Sequence, residues 1–282
     1  MPLLTEGNKR KNRKGEKIGV GIKTPVSPMV EYRRALYRLN RLLKQRTANI
    51  GELIRGGASA IEVSQRIEQD LKETNEQFDR ASLSITDDMI RELSKRNRER
   101  IENAIRIGLG VNSAKIIDTP EIKEALELAT AQNVNLIKSI PEQHFAKVSQ
   151  AIFSNYRGET FQEGSLTKRL TAIGNITDRR AKFIARDQTV KFVSNLNRIR
   201  QEDAGIDGYI WRNSMDERVV GNPGGLYQKG NKTHGDHWNR EGKKFSWNEP
   251  PHDGHPGQAP GCRCYPEPVL NIEKVNRNAI RL

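Results

Sequence analysis

Cysteine, histidine and aromatic residues are scarce in this chain. Its 282 residues include two cysteines and five histidines, and 6% of them are aromatic. The two cysteines, Cys262 and Cys264, are separated by a single residue, so a disulfide between them would close too small a ring to be unstrained. Reduced thiols and metal ligands are therefore the two natural interpretations of the pair.

Long apolar runs are also lacking. No stretch of the sequence approaches the roughly 18 to 20 apolar residues that cross a bilayer. The lysine-rich N-terminus is not followed by the apolar core of a secretory signal. We therefore expect no membrane partner and synthesis in the cytoplasm of the producing cell.

Positive charge is in clear excess, with a formal net charge of +13. Much of it lies near the N-terminus, in a segment with almost nothing to bury, so residues 1–27 are predicted to form a flexible basic tail. Such a tail either keeps the chain soluble or contacts the phosphates of nucleic acid. The candidate nucleic-acid-binding residues are Lys9, Arg10, Lys11, Arg13 and Lys14.

Apolar residues at helical spacing predict long helices from Pro28 to Gly205. The charged stretch 28–132 is the predicted helical N-terminal region. Glycine, proline and capping residues predict interruptions of the helical pattern. These interruptions are placed at Gly56–Gly57, between Asn75 and Thr86, at Pro141 and at Asn175.

The pattern changes after Gly205. Alternation over residues 206–220 predicts two short antiparallel strands joined by a turn at 213–216, and residues 221–260 read as a long Pro, Gly and His-rich loop. A last strand is predicted within 262–270. The expected fold class is mainly α with a small α+β C-terminal domain over 133–270, followed by a polar tail over 271–282.

Four of the five histidines and both cysteines lie between residues 234 and 268. A loop with so few apolar residues gains little from burial, and a metal ion can organise it instead of a core. The candidate ligands of one structural zinc are His237, His255, Cys262 and Cys264, with Asp216 as a substitute oxygen ligand. In the alternative without metal, the cysteines pack as small buried residues, Arg263 pairs with Asp216, and the histidines are mostly surface groups.

Several elements follow one another in a specific order along the last 100 residues. They are an Ile-Ala-Arg helix with Arg186, a strand with Trp211, an Asp-x-Arg-Val element with Asp216 and Arg218, His237 followed by Gly242, and Cys-Arg-Cys around Arg263. This order resembles the C-terminal domain of the Mu F-like minor head proteins of tailed bacteriophages, the phage head morphogenesis family. The resemblance covers about residues 133–268.

The resemblance implies a virion protein made in the host bacterial cytoplasm and located in the phage head. Its expected partners are the portal protein, the major capsid protein and, through the basic tail, genomic DNA. Head assembly, DNA packaging or DNA ejection would be its role, with no catalytic residues and no small-molecule substrate.

Two alternatives remain open from the residues alone. One is a DNA-binding morphogenesis factor that is not retained in the virion. The other is a metal-dependent nuclease, because His237, Asn248 and His255 occur in an order similar to that of His-Asn-His enzymes. Proline and glycine throughout residues 250–260 disfavour the helix that such a site needs.

Overall fold

The computed structural model describes residues 16–158, 165–276 and 280–281, and it confirms the predicted fold class of long helices with a small antiparallel sheet. The helices are α1 (Val26–Arg55), α2 (Ala60–Leu109), α3 (Pro120–Tyr156) and α4 (Leu166–Asp203). The strands are β1 (Glu16–Ile18), β2 (Lys115–Ile116), β3 (Gly208–Arg212), β4 (Lys244–Ser246), β5 (Tyr265–Asn271) and β6 (Ile280–Arg281). The basic residues Lys9, Arg10, Lys11, Arg13 and Lys14 lie outside the described residues.

The chain divides into two compact units, each built from segments that are distant in sequence. The sheet unit comprises Met1–Lys23, Asn97–Ile122 and Ser194–Leu282, and the helical unit comprises Thr24–Arg96 and Lys123–Val193. The domain limits expected at residues 133 and 271 stay predictions. The flexible tail predicted over residues 1–27 is wrong for its described part, because Glu16–Ile18 pair with β5 and Ile22 is buried.

The first helix starts at Val26, two residues before the predicted start at Pro28, and the break after it falls where the sequence predicts. Helix α1 ends at Arg55, and Gly57 adopts a left-handed φ of 88°, which a residue with a Cβ rarely tolerates. Helix α2 starts with a capping box, in which the Ser59 N–H donates to the Glu62 carboxylate (2.7 Å) and the Glu62 N–H donates to the Ser59 hydroxyl (3.3 Å).

The predicted break between Asn75 and Thr86 is wrong, because α2 runs through it without interruption. The buried positions there are largely polar: Thr74, Ser82 and Thr86 are fully buried together with Phe78. Within the helix the hydroxyl of Thr74 donates to the Asp70 carbonyl oxygen at 2.6 Å. The buried face of this helix carries polar residues at helical spacing. A prediction based on apolar residues therefore did not detect it.

The predicted breaks at Pro141 and Asn175 are also wrong. Helix α3 contains Pro141, and the residues around it, Ile137 and Ile140, are at most 1% exposed. Their burial offsets the roughly 3 kcal/mol that an interior proline costs a helix. In α4 the Thr177 hydroxyl donates to the carbonyl oxygen of Ile173 (3.0 Å), a contact within a continuing helix, and it caps nothing.

The sheet unit contains an antiparallel sheet in the order β1-β5-β3-β4, and β2 pairs with β6. The predicted hairpin over 206–220 is wrong, since only β3 forms and its partners come from far along the chain. After β3 the side chain of Asn213 accepts the Met215 N–H (2.7 Å) and that of Asp216 accepts the Arg218 N–H (2.9 Å), so the chain turns twice.

An apolar core supports this sheet unit. Its buried members include Ile22, Ile101, Ile105, Ile206 and Leu270, which come from all three segments of the unit. In the described parts of the chain, no helix combines the length and apolar character that crossing a membrane requires.

Candidate metal centre

The structure brings three of the predicted ligands together in the sheet unit. The ligand atoms of His237, Cys262 and Cys264 lie within 4.8 Å of one another. The Nδ1 atom of His237 is 3.6 Å from each of the two Sγ atoms. A tetrahedral zinc with ordinary bonds to sulfur and nitrogen holds these atom types about 3.5 Å apart, so the spacing fits a bound ion.

The cysteine turn is fixed by its own backbone. The Cys262 N–H donates to the Ala259 carbonyl oxygen (3.0 Å), and the Cys264 N–H contacts Cys262 Sγ at 3.4 Å. A backbone N–H directed at sulfur favours the thiolate, which is the form that binds metal. Strand β5 begins directly after Cys264, so the sheet holds the turn in place.

Asp253 orients the imidazole of His237. Its Oδ2 atom lies 2.7 Å from His237 Nε2 and also accepts the Gly235 N–H at 2.6 Å. Because a carboxylate accepts the Nε2 hydrogen, the Nδ1 lone pair of His237 is left facing the two sulfurs. A carboxylate behind a histidine in this way is a typical second partner of a metal-bound imidazole.

A second oxygen of Asp253 accepts a hydrogen bond from Arg240 at 2.7 Å. The Asp253 side chain is fully buried, so these contacts compensate its charge. A Cβ at Gly235 would lie 2.2 Å from the Arg240 guanidinium, so Arg240 would have to shift away from its position on Asp253.

The protonation preferences of the cluster follow from these contacts. Burial raises the pKa of Asp253, but hydrogen bonds from Gly235 and His237, together with Arg240, outweigh it and bring the pKa to about 2. Burial lowers the pKa of His237, and its hydrogen bonds to Cys262 and Asp253 reverse that effect, so the net pKa is raised.

The two thiols influence each other. The hydrogen bond from Cys264, followed by that from His237, holds the pKa of Cys262 well below its ordinary value. The same interaction with Cys262, followed by burial, raises the pKa of Cys264. The geometry therefore favours one thiolate in the metal-free protein, and a divalent cation would supply the charge that removes the second proton.

An aromatic shell surrounds the cluster. The Trp211 ring lies 5.1 Å from the His237 ring, and the Arg240 guanidinium lies 4.8 Å from the Trp211 ring centroid. The indole N–H of Trp211 is buried and has no hydrogen-bond partner within normal length among the described residues. Its interaction with Cys264 acts to lower the pKa of that thiol, as a donor to a metal-bound thiolate would.

His255 is not brought into this group. Its Nδ1 atom is 3.0 Å from the Tyr209 hydroxyl, and its ring packs 4.8 Å from the Trp247 ring. Burial, followed by the charge of Arg198, lowers the pKa of His255 to about 4. It is a buried neutral histidine of the aromatic core.

Asp216 is also not part of the group. Its carboxylate pairs with Arg263 at 2.6 Å, as the alternative without metal predicts. Both cysteines are free and buried, which either interpretation requires.

The family-like residues fall mostly in the sheet unit. Gly242 has a left-handed φ of 69° and its N–H donates to the Trp211 carbonyl oxygen at 2.9 Å, which explains a glycine there. Arg218 is exposed. Arg186 belongs to the helical unit, on α4, with its guanidinium 6.0 Å from the Phe183 ring centroid.

Two contributors were missed by sequence reasoning. Asp253 is one, and its signal was an acidic residue between two histidines of the loop. The other is the aromatic wall formed by Trp211, which is fully buried and whose contact with His237 depends on long-range pairing.

Comparisons with known proteins give little further information. No protein-family model matches the chain, and no solved structure matches it. A protein of Haemophilus influenzae described as an uncharacterized protein is 35% identical over 190 residues, which is 65% of this chain and 38% of that protein. The chain therefore spans less than half the length of this relative.

Proposed function

We propose that this chain is a minor structural protein of a tailed-phage head, associated with the portal region and acting in head assembly or in DNA packaging or ejection. One observation carries the proposal: several of the elements that resemble the Mu F-like domain, Trp211, His237, Gly242 and the Cys-Arg-Cys turn, meet at one buried centre although they are dispersed in sequence. The Trp211 ring packs on the His237 ring, and the Gly242 N–H donates to the Trp211 carbonyl oxygen. Arg263, between the two cysteines, forms an ion pair with Asp216.

The burial of the centre supports an architectural role. His237, Cys262 and Cys264 are 3%, 8% and 6% exposed, so a polymer substrate does not reach them. Both imidazole nitrogens of His237 are engaged, and the Asn248 N–H donates to the Ser246 hydroxyl in an exposed turn. This arrangement favours a structural protein over a His-Asn-His nuclease.

We further propose that the ion is one structural zinc. Two thiolates and an imidazole are the donors that zinc prefers. The charges also balance, because two thiolates neutralise Zn²⁺ while Arg240 neutralises Asp253. A neutral centre avoids the large cost of burying net charge. When bound, the ion would supply the cross-link that a loop with few apolar residues needs.

The proposed partners are the portal protein, the major capsid protein and genomic DNA. The net charge of +13 supports an acidic partner. Contact with DNA is assigned to the basic segment from Lys9 to Lys14.

The test is the protein composition of DNA-filled particles purified from cells that carry the phage genome encoding this chain. We expect mass spectrometry to find the chain in the particles at far fewer copies than the major capsid protein. Disruption of its gene should reduce the yield of filled or infective particles. A matched strain with His252→Gln, an exposed position, serves as control.

The contrary results are equally clear. Abundance in the lysate with absence from the particles would favour the DNA-binding factor that is not retained in the virion. Cleavage of plasmid by the purified chain with Mg²⁺ or Mn²⁺, abolished by His237→Ala, would favour the nuclease.

A further inference from the structure

One imidazole nitrogen of His234 makes a hydrogen bond, and the other has no hydrogen-bond partner among the described residues. Its Nε2 atom lies 2.9 Å from the carbonyl oxygen of Pro260, which can only accept a hydrogen bond. The hydrogen therefore sits on Nε2, and Nδ1 carries a lone pair. That Nδ1 atom is shut off from solvent and has no hydrogen-bond partner among the residues that the structure describes. A buried acceptor without a partner is costly unless something binds it.

The ring of His234 is placed beside the metal centre. It is nearly parallel to the His237 ring, at an angle of 9°, with the two centroids 6.0 Å apart. Two imidazoles on one tetrahedral zinc hold their centroids about 5 Å apart. His234 lies outside the group of ligand atoms within 4.8 Å of one another, so binding through Nδ1 requires its side chain to rotate toward the ion and lengthen its contact with Pro260.

The segment that carries His234 is tied to the same structural parts as the other ligands. Pro260, which fixes the His234 ring, lies two residues before Cys262. Asp253 Oδ2 holds both the Gly235 N–H and the His237 imidazole. One carboxylate and one turn therefore position both histidines relative to the cysteines.

The other nearby histidines are less suitable. His255 uses Nδ1 in its contact with the Tyr209 hydroxyl and packs against Trp247. His252 is exposed to solvent.

We propose that His234 is the fourth ligand of the metal, through Nδ1, and that it completes a Cys2His2 centre with His237, Cys262 and Cys264. This assignment rests on the proposed metal role. Four protein ligands close the coordination sphere, so the centre is a structural cross-link with no position for substrate or water.

The test counts imidazoles on the metal. X-ray absorption of the full-length chain loaded with Zn²⁺ should give two sulfurs and two imidazoles in the wild type. In His234→Gln the amide preserves the hydrogen bond to Pro260 but offers no nitrogen lone pair. We expect one imidazole in this variant and a Zn²⁺ affinity lower by at least about tenfold. The controls His252→Gln and His255→Gln should retain two imidazoles.

The negative results of this experiment distinguish the assignment of His234 from the proposed metal role. One imidazole in the wild type, or two in His234→Gln, would overturn the assignment of His234 while leaving the zinc intact. Loss of an imidazole in either control variant would do the same. Absence of bound Zn²⁺ from the wild-type chain would overturn the proposed metal role, and with it this assignment.

Discussion

Asp253 orients a ligand of the candidate metal centre, His237, through the imidazole nitrogen that faces away from the sulfurs. It fixes the orientation of His237 and holds the Gly235 backbone, while Arg240 balances its charge. Partners of this kind raise the basicity of the bound imidazole and keep the unbound ligand in the binding geometry. The affinity for metal is therefore expected to depend on this residue.

We predict that Asp253→Asn lowers the affinity for Zn²⁺ by about 10- to 100-fold, because the amide is a weaker acceptor for His237 and leaves Arg240 uncompensated. Competition with a chromophoric chelator measures the change. Asp236→Asn is the matched control, since the Asp236 carboxylate accepts hydrogen bonds from the Asn239 N–H (3.0 Å) and the Asn239 side chain within the same turn. Equal affinities in the two variants would contradict the role of Asp253.

His144 offers a separate test in the helical unit. Its Nδ1 and Nε2 atoms are each 2.8 Å from a hydroxyl, that of Thr177 and that of Thr47. The Thr177 hydroxyl already donates to the Ile173 carbonyl oxygen, so it accepts from Nδ1–H, and Nε2 accepts from Thr47. Burial, followed by the charge of Lys44, lowers the pKa of His144 to about 4.

Because the folded pKa lies below the unfolded value, neutral His144 contributes stability above pH 6.5 that is lost as the pH falls toward 4. Between pH 7 and pH 5 the loss is about 2 kcal/mol. His144→Gln cannot be protonated, so the gap in unfolding free energy between it and the wild type should narrow by that amount. Chemical denaturation at both pH values measures the gap, and a constant gap would disprove the prediction.

The types of the ligands could be predicted, but their combination could not. Cys262, Cys264 and His237 stand out because the chain has so few of these residues. The choice between His255 and His234 depends on turns such as the one at Gly254, with φ 88°. Such turns decide which way a ring faces, and local sequence does not encode that outcome.

Helix α2 shows why the existence of a helix was easier to predict than the residues at which it begins and ends. Its buried face alternates apolar and polar residues, and a hydroxyl can be buried when it bonds to the helix backbone. Thr74 does so through the Asp70 carbonyl oxygen. Thr86 is equally buried, but its hydroxyl has no hydrogen-bond partner among the residues described.

Thr86→Val should therefore stabilise the protein by about 1 kcal/mol, because a methyl group replaces a buried hydroxyl without a partner. Thr74→Val is the matched control on the same helix and should be neutral or destabilising. The melting temperature of each variant reports the sign. A lower melting temperature for Thr86→Val than for Thr74→Val would show that the Thr86 hydroxyl is satisfied.

The sheet unit as a whole is assembled from distant parts of the chain. Strand β3 pairs with β4 and β5, and β5 also pairs with β1 near the N-terminus. Local alternation predicted that strand β3 exists but not its partners, since pairing is decided by packing across long separations. Between β3 and β5 the described chain contains only the three-residue strand β4 as regular structure.

Such a segment gains little from regular hydrogen bonding, and its apolar burial is limited to a small cluster that includes Trp247 and Ala259, so the metal should account for part of its order. In the proposed minor head protein, this would give a rigid C-terminal surface for assembly with neighbouring proteins. The basic tail would serve the separate task of contacting DNA.

Hydrogen exchange of the zinc-loaded chain before and after chelation tests most directly whether the metal organises this segment. We expect removal of the ion to increase deuterium uptake across residues 234–264, with little change in α1 and α3, and added Zn²⁺ to reverse the increase. The double variant Cys262→Ser and Cys264→Ser should show the high uptake at the outset. Unchanged uptake in 234–264 after complete loss of zinc would contradict the account.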